Sequence, residues 1–464
     1  MRFNQTQASR WLISCTAVAL FTVAGCGAEE APERVQKTPE PTVRTGAPGP
    51  PDGAPEETES ESDRAPGRGA AAPPTPDDLP EGLVLALAQF GPRQAGKAPK
   101  PLPATLEFLV RREGEWKVDL VEDPQSNVFH KAMVYSAPGG KDQLLSAAGS
   151  EATLKLWSPG KDGAVSETIW EKDFGGKFSR MRDIEIGDLD GTGEPVIAVA
   201  THDQGVVALV RRDPETNTFS VEEIDEEPDT FVHEVEIGDL DGDGVLEVYA
   251  TPSEPNRLDG SEQSGIVTRY VPAKGEGRTV VADLGDRHAK EIYVGDVDGD
   301  GIDELYVIVE GKIDKKTKKL IAPVEIRRYD AGTDPTQGAV VATIDDRLGR
   351  FLTAGDFDGD GDQELVAALF SSGVWLLEPG EDPRGTWNQT LIDEDSGGFE
   401  HAAVAADLDA DGVDELYVAS DNDSEVRRYV WVDGKPVREV IYRRTNGNSV
   451  FTWNIMPVPV DLVP

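Results

Sequence analysis

Short acidic loops at fixed spacing are the feature of this sequence with the clearest chemistry. The first complete loop, Asp239-Leu-Asp-Gly-Asp-Gly-Val-Leu-Glu247, has carboxylates at positions 1, 3, 5 and 9 and glycines at positions 4 and 6. Close copies begin at Asp296, Asp356 and Asp407, and a weaker copy begins at Asp188. Four hard oxygen donors on one short loop suit Ca²⁺, which takes about 6–8 oxygen ligands. Without a cation, carboxylates held so close would repel one another and resist ionising together.

The loop differs from an EF-hand, because position 12 counted from Asp239 is Ala250 and not a bidentate glutamate. Apolar residues such as Val248 and Tyr249 follow the loop directly and predict a strand. The alternative is that each loop is a solvated acidic turn without a metal. Because every ligand position is filled in four separate loops, the pattern favours calcium sites.

The acidic loops mark a repeat that predicts the fold. Their first aspartates stand at positions 188, 239, 296, 356 and 407, so the period is roughly 50–60 residues. In each period a short strand enters the loop, a second strand leaves it, and a hairpin of two more strands follows. Four short strands per period are typical of a propeller blade. The sequence therefore predicts an all-β fold, a β-propeller over residues 80–464.

The two ends of the repeat region predict how the propeller closes. Residues 130–148 fit one further unit, whose loop has lost its metal ligands. Residues 83–87 look like a strand that leaves a loop, with no strand before the loop, and residues 451–456 look like the missing entry strand. Joining these ends makes one composite blade and seven blades in all. Pairing of the N- and C-terminal strands would also remove the open sheet edges that invite aggregation.

The N-terminal segment is predicted to be a targeting sequence followed by a tether. Residues 1–26 combine early arginines with a short apolar run that ends in Val-Ala-Gly-Cys26. This ending resembles the lipobox of bacterial lipoproteins and implies cleavage before Cys26 and lipidation of that residue. The alternative is an ordinary signal peptide with an incidental cysteine. Residues 27–79 are rich in Pro, Gly, Glu and Ser and predict a disordered tether. Because Asp does not follow Cys26, the resemblance favours the outer membrane if the cell is Gram-negative, on the periplasmic or the outer side of that membrane.

The loops, with the apolar strands that enter them, resemble the FG-GAP/VCBS repeat family of integrin-α-like propellers. The resemblance covers residues 80–464 and implies about four Ca²⁺ sites. In the weak copy Thr192 replaces an aspartate and Val196 the final acid, so a fifth site is incomplete. The implied calcium ligands are Asp239, Asp241, Asp243, Val245 (through its carbonyl) and Glu247; Asp296, Asp298, Asp300, Ile302 and Glu304; Asp356, Asp358, Asp360, Asp362 and Glu364; Asp407, Asp409, Asp411, Val413 and Glu415; and Asp188, Asp190 and Thr192.

Composition and motifs favour a binding module over an enzyme. A net charge of −42 argues against nucleic acid as a partner. The sequence lacks a Gly-x-Ser-x-Gly elbow, a His-Glu-x-x-His motif, a P-loop and a dinucleotide fingerprint. We therefore expect an envelope-anchored interaction module with a carbohydrate or protein ligand. The alternative is a polysaccharide lyase or hydrolase with its active site on the propeller face.

Basic and imidazole side chains recur six residues before each loop. If the entry strand is the innermost of its blade, these residues ring one mouth of the central channel and could bind an anion. Histidines there would gain charge as the pH falls toward about 6.5. The alternative is that each side chain serves only to hold neighbouring strands. The predicted ring consists of His130, Arg182, His233, Lys290, Arg350 and His401, with Phe451 at the seventh position.

Overall fold

Thirty strands make up most of the described chain, and twenty-eight of them form seven four-stranded antiparallel sheets. The computed structural model describes residues 75–92, 99–161, 163–175, 179–202, 204–253, 264–314 and 316–464. The predictions for residues 1–26, for Cys26 and for almost all of the tether lie outside these residues. The seven sheets are the blades of a propeller, as the repeat predicts.

Blades two to four follow the chain in simple order, each with its innermost strand first. Blade two contains β4 (Val128–Tyr135), β5 (Gln143–Gly149), β6 (Ala152–Gly160) and β7 (Gly163–Lys172). Blade three contains β8 (Met181–Gly187), β9 (Val196–Thr201), β10 (Val207–Asp213) and β11 (Thr218–Asp225). Blade four contains β12 (Phe231–Gly238), β13 (Glu247–Ser253), β14 (Ile266–Val271) and β15 (Glu276–Asp283).

Blades five to seven repeat this order, and blade five has an additional two-stranded hairpin. Blade five contains β16 (Ala289–Gly295), β17 (Glu304–Val309), β20 (Val324–Tyr329) and β21 (Ala339–Ile344), and its hairpin is β18 (Lys312–Ile313) with β19 (Leu320–Ala322). Blade six contains β22 (Gly349–Gly355), β23 (Glu364–Leu369), β24 (Val374–Glu378) and β25 (Asn388–Asp393). Blade seven contains β26 (Ala403–Ala406), β27 (Glu415–Ser420), β28 (Glu425–Val432) and β29 (Lys435–Arg443).

Blade one is the composite blade and confirms the predicted closure. It contains β1 (Glu81–Phe90), β2 (Ala104–Arg112), β3 (Glu115–Asp123) and β30 (Ser449–Pro459), in the sheet order β3-β2-β1-β30. The last strand of the chain is therefore the innermost strand of the first blade. Its register pairs Val84 with Met456 and Leu85 with Ile455.

The core lies between the blades. The second strands, such as β9, β17 and β27, are buried along their whole length because both faces are covered by neighbouring blades. Outer strands such as β7 are mostly exposed. Each of the seven interfaces between adjacent blades holds its own apolar cluster, and the cluster between blades seven and one includes Leu85, Tyr417 and Ile455. The ring of blades is therefore closed by apolar packing as well as by strand pairing.

Helical structure in the described residues is limited to two 3₁₀ turns, Pro272–Lys274 and Val460–Leu462. No helix in this part of the chain is long and apolar enough to cross a membrane.

Candidate metal loops and axial site

Each acidic loop joins the innermost strand of a blade to its second strand. In blade five, β16 ends at Gly295, the loop begins at Asp296, and its ninth residue, Glu304, opens β17. The first aspartate organises the loop, because Oδ1 of Asp296 accepts the N–H of Asp300 at 3.0 Å and Oδ2 accepts the N–H of Gly301 at 2.9 Å. The same pair of bonds occurs around Asp239, Asp356 and Asp407.

Glycines and position 7 complete this loop geometry. Gly299 and Gly301 have φ angles of 73° and 91°, which L side chains rarely adopt. The residue at position 7 donates its N–H to the aspartate at position 5, at 2.9–3.1 Å. Position 7 is occupied by Val245, Ile302, Asp362 and Val413 in the four loops.

The folded loops bring the predicted carboxylates together. In blade five, Asp296, Asp298, Asp300 and Glu304 offer oxygen atoms that all lie within 4.8 Å of one another. In the other three complete loops the aspartates at positions 1, 3 and 5 form such a group. The blade-three loop has the same backbone, since Asp188 accepts the N–H groups of Thr192 and Gly193 at 2.9 and 2.8 Å. It lacks the third acid, however, and forms no such group among the described residues.

The donor set fits a hard divalent cation such as Ca²⁺. Burial raises the pKa of Glu304 and of Glu364 to about 7. The charge of Asp298 adds to this effect at Glu304, and the three loop aspartates add to it at Glu364. Oδ1 of Asp409 is buried and has no hydrogen-bond partner among the described residues. Burial, together with the charges of Asp411 and Asp407, also raises the pKa of Asp409. A cation would compensate both the repulsion and the unpaired oxygen.

In several blades an arginine on the third strand also contacts these carboxylates. The sequence analysis did not predict these arginines. Arg269 lies 2.6 Å from Asp241, and Arg328 lies 2.6 Å from Asp298 and 3.2 Å from Glu304. Their strand registers place them opposite Tyr249 and Tyr306, the third residues of the second strands. Arg428 has the same register position, opposite Tyr417, and contacts Glu415. Arg211 contacts Asp190 from a different register position, opposite Val196, the first residue of β9. Blade six has Leu376 at this register position.

The predicted ring residues lie at the opposite ends of the innermost strands. Six strand residues correspond to roughly 20 Å, so the ring and the acidic loops occupy opposite faces of the propeller. The pairing register shifts at His130, Arg182 and Arg350, and also across the residue pairs 233–234 and 290–291. These are β-bulges, which re-aim a side chain out of its regular alternation. All six predicted residues are buried, with exposed fractions of 0–7%.

Three of the predicted cations share one carboxylate, that of Glu400 in blade seven. A guanidinium nitrogen of Arg350 lies 3.4 Å from both carboxylate oxygens of Glu400, Nζ of Lys290 lies 3.8 Å away, and Arg182 lies 3.9 Å away. Glu400 is 1% exposed. Burial alone would raise the pKa of Glu400, but the charges of Arg350, Lys290 and Arg182 hold it below its usual value. Four blades thus meet at one ionised carboxylate.

Two ring positions differ from the sequence prediction. His401 does not join the cations, because its Nδ1 lies 2.6 Å from the carbonyl oxygen of Leu369 and its Nε2 lies 2.7 Å from Oγ of Ser396. Its φ angle of 53° turns the chain so that the preceding residue, Glu400, takes the central place. In blade one the register shifts between Ala86 and Leu87, which places the bulge at Trp453 and not at Phe451.

The buried histidines are neutral, contrary to the expectation that mild acid would charge them. Burial, with the charges of Lys290 and Arg350, lowers the pKa of His288 to about 3. Burial likewise lowers the pKa of His130 and of His233 well below the usual value and that of His401 to about 4. His288 was not predicted, and its ring centre lies 4.6 Å from that of His233.

Aromatic rings surround the central cations. The guanidinium of Arg182 lies 5.0 Å from the ring centre of Trp453, and that of Arg350 lies 5.0 Å from the ring centre of Phe399. Both separations suit cation–π contacts. Phe399 contacts Phe451 edge to face at 5.7 Å. Trp453, Phe399 and Phe451 are only partly buried, so the axial site, made of the three cations, Glu400 and these rings, has an apolar approach.

A layer of carboxyl groups follows the ring along the strands. Nζ of Lys131 lies 3.2 Å from Asp183 and also contacts Glu185. Burial, with the charge of Asp183, raises the pKa of Glu234 well above its usual value, and burial with the charge of Glu185 does the same for Glu236. These two groups therefore offset little of the positive charge at the ring. Glu291 and Glu310 offset more of it, because Glu291 contacts Lys290 and Glu310 lies 3.1 Å from Arg350.

The sequence and fold comparisons agree with this architecture. Residues 356–418, from the blade-six loop into β27, match the model of the FG-GAP-like repeat. The protein is thus a seven-bladed β-propeller that carries an FG-GAP-like repeat. Among curated proteins, none matches this chain in sequence.

Several solved structures resemble the chain at low identity. They include a candidate 6-phosphogluconolactonase from Bacteroides fragilis NCTC 9343 (14% identity, 82% of this chain and 98% of that chain, TM-score 0.48). A protein from Lactobacillus plantarum (11%, 82% and 99%, TM-score 0.49) and the Dos1 propeller (9%, 77% and 74%, TM-score 0.47) are similar to a comparable degree. Likenesses this weak say nothing about what this chain binds.

Proposed function

We propose that this protein is a calcium-stabilised β-propeller that acts as a binding module at the cell envelope, tethered by a lipid on Cys26. The observation that carries the proposal is the convergence of carboxylates in four separate loops at equivalent places in four blades. The FG-GAP-like repeat supports the role of an interaction module, and the lipobox-like sequence before Cys26 supports the tether. The ligand would be a carbohydrate or a protein.

Calcium would act on stability and not on chemistry. When bound, Ca²⁺ supplies positive charge that neutralises the clustered carboxylates. The chain supplies the framework, because each loop links an innermost strand to its neighbour and Asp296 fixes the loop through backbone N–H groups. Four rigid links of this kind would hold the inner strands in place, and with them the axial site at the other face.

Thermal unfolding with and without calcium tests the metal sites. A ligand that binds only the folded state stabilises it by about 2.7 kcal/mol per site at a hundredfold excess over Kd. The melting temperature should rise with Ca²⁺ and fall with a chelator, and Asp298→Ala should reduce that rise. Asp345→Ala, which removes an exposed acid outside the loops, is the matched control. Identical melting curves in Ca²⁺ and in chelator would refute the calcium sites.

Cell fractionation tests the tether separately. Cys26→Ser should move the protein from the membrane fraction to the soluble fraction, whereas Cys15→Ser, within the same leader, should not. A Cys26→Ser variant that remains with the membrane would rule out the lipid anchor.

A further inference from the structure

The contacts of Glu400 are unusually long for buried ion pairs of this protein. Its carboxylate lies 3.4–3.9 Å from Arg350, Lys290 and Arg182. Buried pairs elsewhere are closer, at 2.7 Å for Arg444 with Glu107 and 2.6 Å for Lys155 with Asp123. Glu400 is therefore held loosely by its three cations. Two of these cations also have a closer carboxylate, since Lys290 contacts Glu291 and Arg350 lies 3.1 Å from Glu310. Buried charges normally have closer partners, since desolvation is costly.

Unpartnered polar groups lie beside these cations. Both ring nitrogens of His233 and of His288 are buried without a hydrogen-bond partner among the described residues, and so is Nε1 of Trp453. A buried polar group that stays unpaired destabilises the folded protein. His233 occupies the ring position of blade four, between Arg182 of blade three and Lys290 of blade five. A neutral imidazole offers one donor and one acceptor, so it can pair with a hydroxyl group.

Blade seven departs from the other blades at this point. The residue before the ring position is apolar or glycine in blades two to six, for example Met181 in blade three and Gly349 in blade six. It is Thr452 in blade one and Glu400 in blade seven. Glu400 follows Gly397, Gly398 and Phe399 in an irregular segment between β25 and β26. The carboxylate is thus supplied by a connecting segment and not by a strand.

We propose that the axial site binds the carboxylate of an acidic sugar, a uronate, and that Glu400 occupies that position in the free protein as an internal competitor. The guanidinium groups of Arg182 and Arg350 suit a planar carboxylate. Sugar hydroxyls would pair with the histidine nitrogens and the indole N–H, and the apolar face of a pyranose ring would pack on Trp453 or Phe399. A peptide carboxylate would satisfy the cations but would leave the buried nitrogens unpaired. This inference rests on the proposed role as a binding module and specifies its ligand.

Calorimetric titration with two oligosaccharides of equal length, one of glucuronate and one of glucose, tests the proposal at fixed Ca²⁺. Glu400→Gln removes the competing charge but keeps the shape, so it should bind the glucuronate oligomer at least about tenfold more tightly than the unmodified protein. The glucose oligomer should show no such gain. Adding Arg182→Gln to Glu400→Gln should abolish the gain. Glu107→Gln, which breaks a buried ion pair away from the axis, is the matched control and should leave the affinity for glucuronate unchanged.

Several outcomes would overturn the proposal. If neither the unmodified protein nor Glu400→Gln binds glucuronate, Glu400 is only a structural counter-ion. If the glucose oligomer or a glutamate-rich peptide shows the same gain, the ligand is not a uronate. Should Glu400→Gln fail to fold, Glu400→Asp keeps the charge but shortens its reach, and it should also bind glucuronate more tightly than the unmodified protein. The calcium melting curve is recorded on the same samples. A normal calcium response without uronate binding refutes this inference alone, and uronate binding without a calcium response refutes the metal sites alone.

Discussion

Asp303 of blade five accepts a hydrogen bond from the backbone N–H of Asp239 in blade four, with 2.8 Å between Oδ2 and N. Asp239 is the first residue of its own acidic loop, so a side chain of the blade-five loop fixes the start of the blade-four loop. Asp414 of blade seven makes the same contact to the backbone N–H of Asp356 in blade six, at 3.1 Å. Neighbouring acidic loops are therefore linked across blade boundaries.

Removing this link should weaken both stability and metal binding. Asp303→Ala leaves the N–H of Asp239 without its acceptor, and we expect a loss of about 1 kcal/mol in the free energy of unfolding. Because Asp239 anchors the blade-four loop, the affinity of that loop for Ca²⁺ should also fall. Chemical denaturation and calcium titration measure the two effects. Asp303→Asn keeps an acceptor oxygen and should be milder; equal losses for both variants would contradict a role for this hydrogen bond.

The four complete loops should differ in their affinity for calcium. Arg269 pairs with Asp241 in blade four, whereas blade six has Leu376 at the corresponding register position. An arginine beside the ligands lowers the negative charge available to a cation. Calcium titration should therefore show that Asp358→Ala removes a tighter site than Asp241→Ala does.

Removing Arg269 should increase the affinity of the blade-four loop for Ca²⁺. Arg269→Leu should raise the affinity of the blade-four loop for Ca²⁺ several-fold, by roughly 0.5–1 kcal/mol for a partly exposed ion pair, and should lower stability in chelator. Arg443→Leu removes an exposed arginine remote from the loops and serves as the control. An unchanged affinity in Arg269→Leu would show that the arginine does not compete with the metal.

Stability should fall in mild acid because of the buried histidines. The pKa of His288 is about 3 in the folded protein and about 6.5 in an unfolded chain, so between these values only the unfolded chain takes up the proton. This side chain alone should cost about 1.4 kcal/mol between pH 7.5 and pH 5.5. His288→Gln should reduce the loss by that amount, as should His401→Gln, because the pKa of His401 is about 4. Denaturant titrations at pH 7.5 and pH 5.5 measure the change in the free energy of unfolding. If both variants keep the pH dependence of the unmodified protein, the prediction is wrong.

The repeat pattern predicted the propeller well because strand order and loop position depend on local sequence. The entry strand before Asp239, the loop itself and the composite blade all follow from residue spacing. The ring was predicted less well. The spacing of the ring positions identified Arg182, Lys290 and Arg350. It failed in blade one because the position of a β-bulge depends on how two strands pair, and the pairing of β1 with β30 places Trp453 and not Phe451 at the bulge.

Tertiary contacts explain the remaining differences. His401 leaves the ring because its imidazole bonds to Leu369 in the neighbouring blade, and no local pattern reports that bond. Glu400 could have been noticed as the one acid at the position before the ring. The third-strand arginines had a comparable signal, since Arg269, Arg328 and Arg428 each stand directly before a tyrosine.

The pairing of β30 with β1 also has a consequence for synthesis on the ribosome. Six blades can form in order as the nascent chain emerges, but blade one waits for Ser449–Pro459, which is translated after all of them. Until then β1 presents an unpaired inner edge, and the interface between blades seven and one lacks Ile455. A premature stop between β29 and β30 would leave six complete blades beside an incomplete blade one. The apolar surface exposed at that interface would be prone to aggregation and a target for chaperones and proteases.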